Sequence, residues 1–234
     1  MPVYRLPEEH AFPSPHLAEP DGLLGVGGDL HPERLLLGYA NSIFPWYGEG
    51  QPILWFSPDP RYVLFPDELK VRRSLKKRVR RGDYTIRMDT AFGAVLRGCR
   101  NTPRPGQNGT WITSDMEAAY LKLHRLGFAH SVEAWQDGEL VGGLYGVSLG
   151  HMFSGESMFA KASDASKVAF VWLVHQLRVW GYGIVDCQVE TEHLASFGAR
   201  HVSREEYLEH LRRLVPDGPG PGLWRFDADF VPPV

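Results

Sequence analysis

The run from Ser131 to Val189 constrains the fold more than any other part of the chain. Ser131–Trp135 alternates polar and apolar residues, which predicts a strand. Gln136-Asp137-Gly138 follows as a hairpin turn, because Asp-Gly accepts the positive φ such turns need. Leu140–Ser148 is the returning strand, and His151–Phe159 is a third. Ser166–Trp180 is strongly apolar and long enough for a buried helix, with Asp164 or Ser166 as cap and Gly181 as stop. Ile184–Val189 closes the run as an apolar strand. A helix between two such strands calls for a mixed sheet with a crossover on one face.

The flanking segments complete an α+β class. Helices are predicted over Glu68–Arg81, Asp89–Cys99 and Thr113–Leu126 before the sheet, and over Glu192–Phe197 and Arg204–Leu214 after it. Residues 1–62 differ. They are rich in Pro, Gly and aromatic residues and end in the turn Ser57-Pro58-Asp59-Pro60, so they read as short helices and irregular loops, with one helix from Pro32 to Tyr39. The chain thus divides into a small domain, 1–62, and a larger one, 63–234. Residues 216–222, Pro-Asp-Gly-Pro-Gly-Pro-Gly, read as a flexible tail or turn.

At 234 residues, with 43% hydrophobic and 23% charged residues, the chain can bury a real core. No N-terminal apolar region reads as a signal peptide and no run is long enough to span a membrane, so a cytoplasmic location is expected. Cys99 and Cys187 form no CxxC pair, which argues against a disulfide framework and a structural zinc site. The histidines show no HExxH spacing, and no GxxxxGK[ST] loop is present, so neither a metal nor a nucleotide cofactor is expected.

Chemistry concentrates in two strands. Alternation puts Asp186 and Gln188 on one face of theirs and Cys187 on the other, so Cys187 reads as a core residue. Glu156 lies in Met152–Phe159 amid apolar residues, where a carboxylate needs a partner. Simple alternation groups Ser154, Glu156 and Met158 on one face and Phe153, Gly155, Ser157 and Phe159 on the other. Such a set suits a pocket for an apolar side chain carrying an amine, and equally a salt bridge from Glu156 to Lys161 or Lys167. Asp186 and Gln188 read equally as a structural hydrogen-bonded pair. Eight of the twelve residues from Lys70 to Arg81 are basic and none is acidic. Arg73, Lys77, Arg80 and Arg81 fall away from the apolar stripe Val71, Leu75 and Val79, as a phosphate-tracking face would. Trp46, Tyr47, Trp55, Phe56 and Trp111 could stack on unpaired bases or join the two domains.

At these residues the sequence resembles the bacterial leucyl/phenylalanyl-tRNA–protein transferases. The resemblance rests on Gly22–Leu30, Ile43-Phe-Pro-Trp46, Leu54–Arg61, Thr110-Trp-Ile112, Ala129-His-Ser131, Leu140–Gly146, Gly155-Glu-Ser-Met-Phe159, Ala165-Ser-Lys167, Asp186-Cys-Gln188 and His193–Ser196, in one order. It implies a small N-terminal domain followed by an acetyltransferase-like (GNAT) mixed-sheet domain. It implies transfer of Leu or Phe, less readily Met, from aminoacyl-tRNA to an N-terminal Arg or Lys of a protein, marking that protein for degradation by the N-end rule pathway. It implies a monomer that needs no cofactor. By the same resemblance, Trp46 and Trp111 hold the terminal adenosine, and Glu156 meets the α-amine of the carried amino acid. Leu144, Phe153, Ser154, Met158 and Phe170 surround the donor, and Arg73, Lys77, Arg80 and Arg81 meet the acceptor stem. Asp186 and Gln188 act on the attacking amine, with Asp186 expected to orient and polarise the Gln188 amide. Ser42, Thr191, Phe197 and Ala160-Lys161 depart from the usual family residues. Two rivals remain: a CoA-dependent acetyltransferase, disfavoured by the glycine-free loop Ala160–Ser166, and a non-catalytic RNA-binding protein, which leaves Glu156, Asp186 and Gln188 unexplained.

Overall fold

A computed structural model describes residues 3–102, 110–228 and 230, so the outermost ends of the two expected domains lie outside the described residues. The hairpin forms as its pattern requires. Strand β7 (Ala129–Gln136) and strand β8 (Glu139–Leu149) join through Asp137 and Gly138, at φ 51° and 81°. Strand β9 (Met152–Ala160) returns antiparallel beside β8. Helix α5 (Ala165–Val179) then crosses over, and strand β10 (Ile184–Gln188) lies parallel to β9.

Three strands that periodicity does not reveal extend this sheet. Strand β5 (Arg61–Leu64) pairs antiparallel with β10, strand β11 (Arg200–Val202) with β5, and strand β6 (Thr85–Met88) with β7. The order is β11-β5-β10-β9-β8-β7-β6. Residue 62, the expected domain boundary, therefore lies inside β5. Each of these strands has only three or four residues, too few for a period to show.

Helix α2 is shorter than expected, Arg73–Arg81. The Lys70 N–H donates to the Phe197 carbonyl at 2.8 Å, which holds residues before the helix against the loop between helix α6 (Glu192–Ala195) and strand β11. Helix α3 likewise begins late, at Phe92–Asn101. Asp89 sits at φ 52°, and the N–H groups of Thr90 and Ala91 both donate to the buried Glu133 carboxylate at 3.0 Å. Helix α4 (Ser114–Arg125) starts as its cap predicts, with Thr113 Oγ1 accepting the Met116 N–H at 3.2 Å. Helix α6 (Glu192–Ala195) and helix α7 (Arg204–Leu214) follow β10.

Residues 3–56 are more regular than their prolines suggest. Strands β1 (Tyr4–Leu6), β2 (Leu23–Gly27), β3 (Phe44–Pro45) and β4 (Leu54–Phe56) make a second sheet, ordered β1-β2-β4-β3, beside helix α1 (Pro32–Ala40). Buried Leu24, Leu35, Tyr39 and Trp55 join Phe92, Tyr120, Tyr145 and Val147 in one core on one face of the large sheet. On the other face α5 packs Phe170, Val171 and Val174 against Leu144, Phe153 and Val185. Burying both faces fixes the register of the central strands. Among the described residues, no helix is long and apolar enough to cross a membrane.

Candidate active site

Strands β9 and β10 pair over only three positions, Ile184 with Met152, Val185 with Phe153 and Asp186 with Ser154. Beyond these the two strands part. In β9, Ser157 pairs with Tyr145 and Gly155 with Gly146, so Glu156 is the extra residue of a β-bulge. In β10, Gln188 turns to φ 62°. The gap opens a cleft of about 680 Å³ lined from both strands, α5, α6 and the mouth aromatics.

The bulge corrects the facing expected from alternation. Met158 pairs with Leu144 and Phe153 with Ser148, and Leu144 and Ser148 are four apart on β8. Phe153, Met158 and Leu144 therefore share one face, and with Phe170 they form the apolar end of the cleft. Glu156 turns to the opposite face, towards α1 and α4. Gly146 makes room for Phe153, since a Cβ there would lie 2.5 Å from the Phe153 ring. Ser154, expected to bind substrate, is fully buried beneath the cleft and donates to Asp186 Oδ2 at 3.2 Å.

The Glu156 carboxylate gathers three donors, Tyr39 Oη at 2.7 Å, Tyr120 Oη at 3.0 Å and Gln188 Nε2 at 2.9 Å. The two tyrosine hydroxyls also approach each other; with one proton apiece they cannot make that bond and both bonds to an ionised Glu156 at once. Among the described residues no lysine bridges Glu156; Lys167 pairs instead with Asp164 at 2.7 Å. Burial pushes the Glu156 carboxyl up to about 7, and the Asp186 charge adds to this against the three hydrogen bonds. Burial and the Glu156 charge push both tyrosine hydroxyls up, so they stay protonated as donors.

Asp186 has different partners from those expected. Arg61 grips it twice, Nε to Oδ1 and Nη2 to Oδ2, both at 2.8 Å, with both side chains buried. The guanidinium lies over the rings of Phe44 and Tyr207, 4.7 and 5.0 Å from their centroids. Asp186 Oδ1 also accepts the Gln188 backbone N–H at 2.9 Å. Asp186 thus holds the backbone turn that presents Gln188 and does not polarise its amide. That amide donates to Glu156 and, at 3.4 Å, to Ser154, leaving Gln188 Oε1 without a donor among the described residues.

Cys187 is buried on the α5 side, and burial pushes its thiol up, which suits a core cysteine. The aromatic set divides. Trp46, 41% exposed, and Trp111 line the mouth, whereas Trp55 is fully buried with its Nε1–H on the Gly27 carbonyl at 2.9 Å. On α2, Arg73, Lys77 and Arg80 are exposed, but Arg81 is tied to Asp83, which also takes Arg78 at 3.3 Å. Tyr39, Tyr120 and Arg61 are the site residues that the sequence analysis misses. Arg61 carries a signal, a charge at the head of the apolar run Tyr62-Val-Leu64; the tyrosines carry none. Among the described residues, His10, His31 and Glu33 come close enough together to hold a cation, at the start of α1 and outside the cleft.

Residues 63–212 match the family model of leucyl/phenylalanyl-tRNA protein transferase, and residues 28–59 match that of its N-terminal domain. The leucyl/phenylalanyl-tRNA–protein transferase of Myxococcus xanthus is 58% identical over 234 residues, 99% of this chain and 100% of that protein. The one from an Anaeromyxobacter species is 59% identical over 232 residues, 99% of each chain. The one from Stutzerimonas stutzeri is 58% identical over 209 residues, 89% of this chain and 92% of that one. Likeness to the solved structure of L-PGS from Bacillus licheniformis is weak, with 14% identity, a TM-score of 0.40, and coverage of 87% of this chain and 64% of that one. On the family models and these full-length relatives, the chain belongs to the leucyl/phenylalanyl-tRNA–protein transferase family.

Proposed function

We propose that this protein transfers leucine or phenylalanine from aminoacyl-tRNA to the α-amino group of proteins that begin with Arg or Lys, marking them for degradation. The observation that carries this reading is the junction of an apolar pocket with the Glu156 carboxylate at the parting of β9 and β10. The pocket of Leu144, Phe153, Met158 and Phe170 takes the donor side chain, and Glu156 takes its α-ammonium. Trp46 and Trp111 stack on the terminal adenosine. Arg73, Lys77 and Arg80 follow the acceptor stem; Arg81, held by Asp83, contributes less.

The ester is already activated, so the protein's task is to position two substrates and handle one proton. Gln188 Oε1 accepts a hydrogen bond from the incoming amine, whose ordinary pKa near ~8 leaves a useful neutral fraction. The amine nitrogen forms a bond to the ester carbonyl carbon, the bond from that carbon to the ribose oxygen breaks, and the amine proton passes to the departing ribose hydroxyl. Asp186, fixed by Arg61, keeps Gln188 in its turned backbone conformation. An acetyltransferase-like description of the larger domain, a division near residue 62, a monomeric state and a cytoplasmic location belong to the same reading. The splayed parallel pair β9 and β10 supports the first of these.

The test is a transfer assay with radiolabelled Leu-tRNA and a peptide beginning with Arg, beside a calorimetric titration with acetyl-CoA. Label in the peptide and no heat from acetyl-CoA is the expected result. Tight acetyl-CoA binding without transfer would replace this reading by the acetyltransferase rival.

A further inference from the structure

The segment after α7, of which residues 216–222 are expected to be a flexible tail or turn, crosses the large domain and is pinned at three points, Gly222, Trp224 and Asp227. The Gly222 N–H donates to the Gly127 carbonyl at 3.1 Å, and the Trp224 N–H donates to Asp89 Oδ2 at 2.8 Å. The Asp227 carboxylate accepts Gln176 Nε2 at 2.7 Å and Trp180 Nε1 at 2.9 Å, and its backbone N–H returns to Gln176 Oε1 at 3.2 Å. Gly127 is required where the segment crosses it. It sits at φ 80°, and a Cβ there would lie 2.4 Å from the Gly222 nitrogen.

These ties seat one side chain against the cleft wall. The Trp224 indole stacks on the His130 ring, 3.9 Å between centroids and 2° from parallel. The Asp89 carboxylate that holds the Trp224 backbone also binds His130 Nδ1 at 2.8 Å, so one group positions both rings. Next to this stack lies Phe153, its ring centroid 5.7 Å from that of Trp224. Phe153 is 1% exposed and forms one wall of the apolar pocket. From the pocket outward the order is Phe153, then Trp224, then solvent.

We propose that this segment is a strap that sets the depth of the side-chain pocket, with Trp224 as the positioning residue that holds Phe153 and thereby tunes which amino acids are accepted. The proposal rests on the reading of that pocket as the donor side-chain site. A ring keeps its rotamer in a packed wall because a tilt has nowhere to go. Without the indole, Phe153 gains room to tilt outward, the pocket lengthens, and a leucine fits less closely while a phenylalanine gains space. A mismatch of one methylene changes discrimination by roughly 10–200-fold, so the choice between donors is a sensitive readout.

The test compares Trp224→Ala, Trp224→Phe, Asp227→Ala and the unaltered protein in transfer from Leu-tRNA and from Phe-tRNA. The Leu-to-Phe ratio of kcat/KM is expected to fall about 10-fold in Trp224→Ala. It should fall by less in Asp227→Ala, which touches only the strap's anchorage, and return close to the unaltered value in Trp224→Phe. An unchanged ratio overturns the proposal, and so does an equal loss with both donors, which is what a merely structural role gives. Should Trp224→Ala fail to fold, Asp227→Ala decides alone. Unaltered protein inert toward both donors overturns the transfer function and this proposal together, whereas active protein with a constant ratio overturns this proposal only.

Discussion

Replacing Glu156 by Gln removes a cleft carboxyl that burial lifts towards neutrality. Its carboxyl is lifted from 4.5 to about 7 in the folded protein. A raised folded value means that its contribution to stability is complete below the unfolded value and is lost as pH rises through the folded one. At 1.36 kcal/mol per unit, the ionised folded form carries a penalty of about 3 kcal/mol, of which about 2 develops between pH 5.5 and 8.5. The substituted amide has no such titration, and it keeps an acceptor oxygen for the tyrosine hydroxyls. Urea unfolding of both proteins at the two pH values isolates the effect, because other titrating groups cancel in the difference. The stability of Glu156→Gln relative to the parent should rise by about 2 kcal/mol from pH 5.5 to 8.5. The same variant should bind donor poorly and lose the acid limb of its pH profile. A difference that stays flat with pH would refute the reasoning that Glu156 is held out of water near its own midpoint.

Further outcomes are expected elsewhere in the site. Arg61→Met strands Asp186 buried and unpaired and should cost about 3–5 kcal/mol in urea unfolding; a loss below about 1 kcal/mol contradicts the pairing. Replacing Arg73, Lys77 and Arg80 together by Ala should raise the KM for tRNA, lower the salt dependence of binding by about 2–3 in slope and spare kcat, and an unchanged slope removes α2 from the interface. Trp46→Ala should weaken donor binding by about 1–3 kcal/mol; binding unchanged in a filter assay assigns that ring to packing alone.

The order of strand, hairpin, strand, crossover helix and strand was legible because each element is long enough for its period to show. Cys187 also fell where alternation put it. The bulge at Glu156 did not, since one extra residue reverses every facing beyond it and leaves no mark in composition. That is why Phe153 and Met158 read as opposed yet share a wall, and why Ser154 read as a pocket residue yet lies beneath it. Short strands such as Arg61–Leu64 were lost for want of length. The pairing of that strand depends on β10, more than a hundred residues away, as does the salt bridge from Arg61 to Asp186. Tyr39 and Tyr120 sit in helices that were expected, but only the packing of α1 against α4 and β8 brings their hydroxyls to one carboxylate. The anchors at Trp224 and Asp227 were not legible, because each depends on a partner far away in the chain, Asp89 for the one and Gln176 and Trp180 for the other.

The central claim is that acyl transfer takes place where Gln188 faces the cleft. Single-turnover transfer from bound Leu-tRNA to an Arg-starting peptide tests it in Gln188→Ala, with tRNA affinity measured on the same preparation. The account predicts a rate about 100-fold below that of the unaltered protein at the same tRNA affinity. An unaltered rate at saturating tRNA would contradict it.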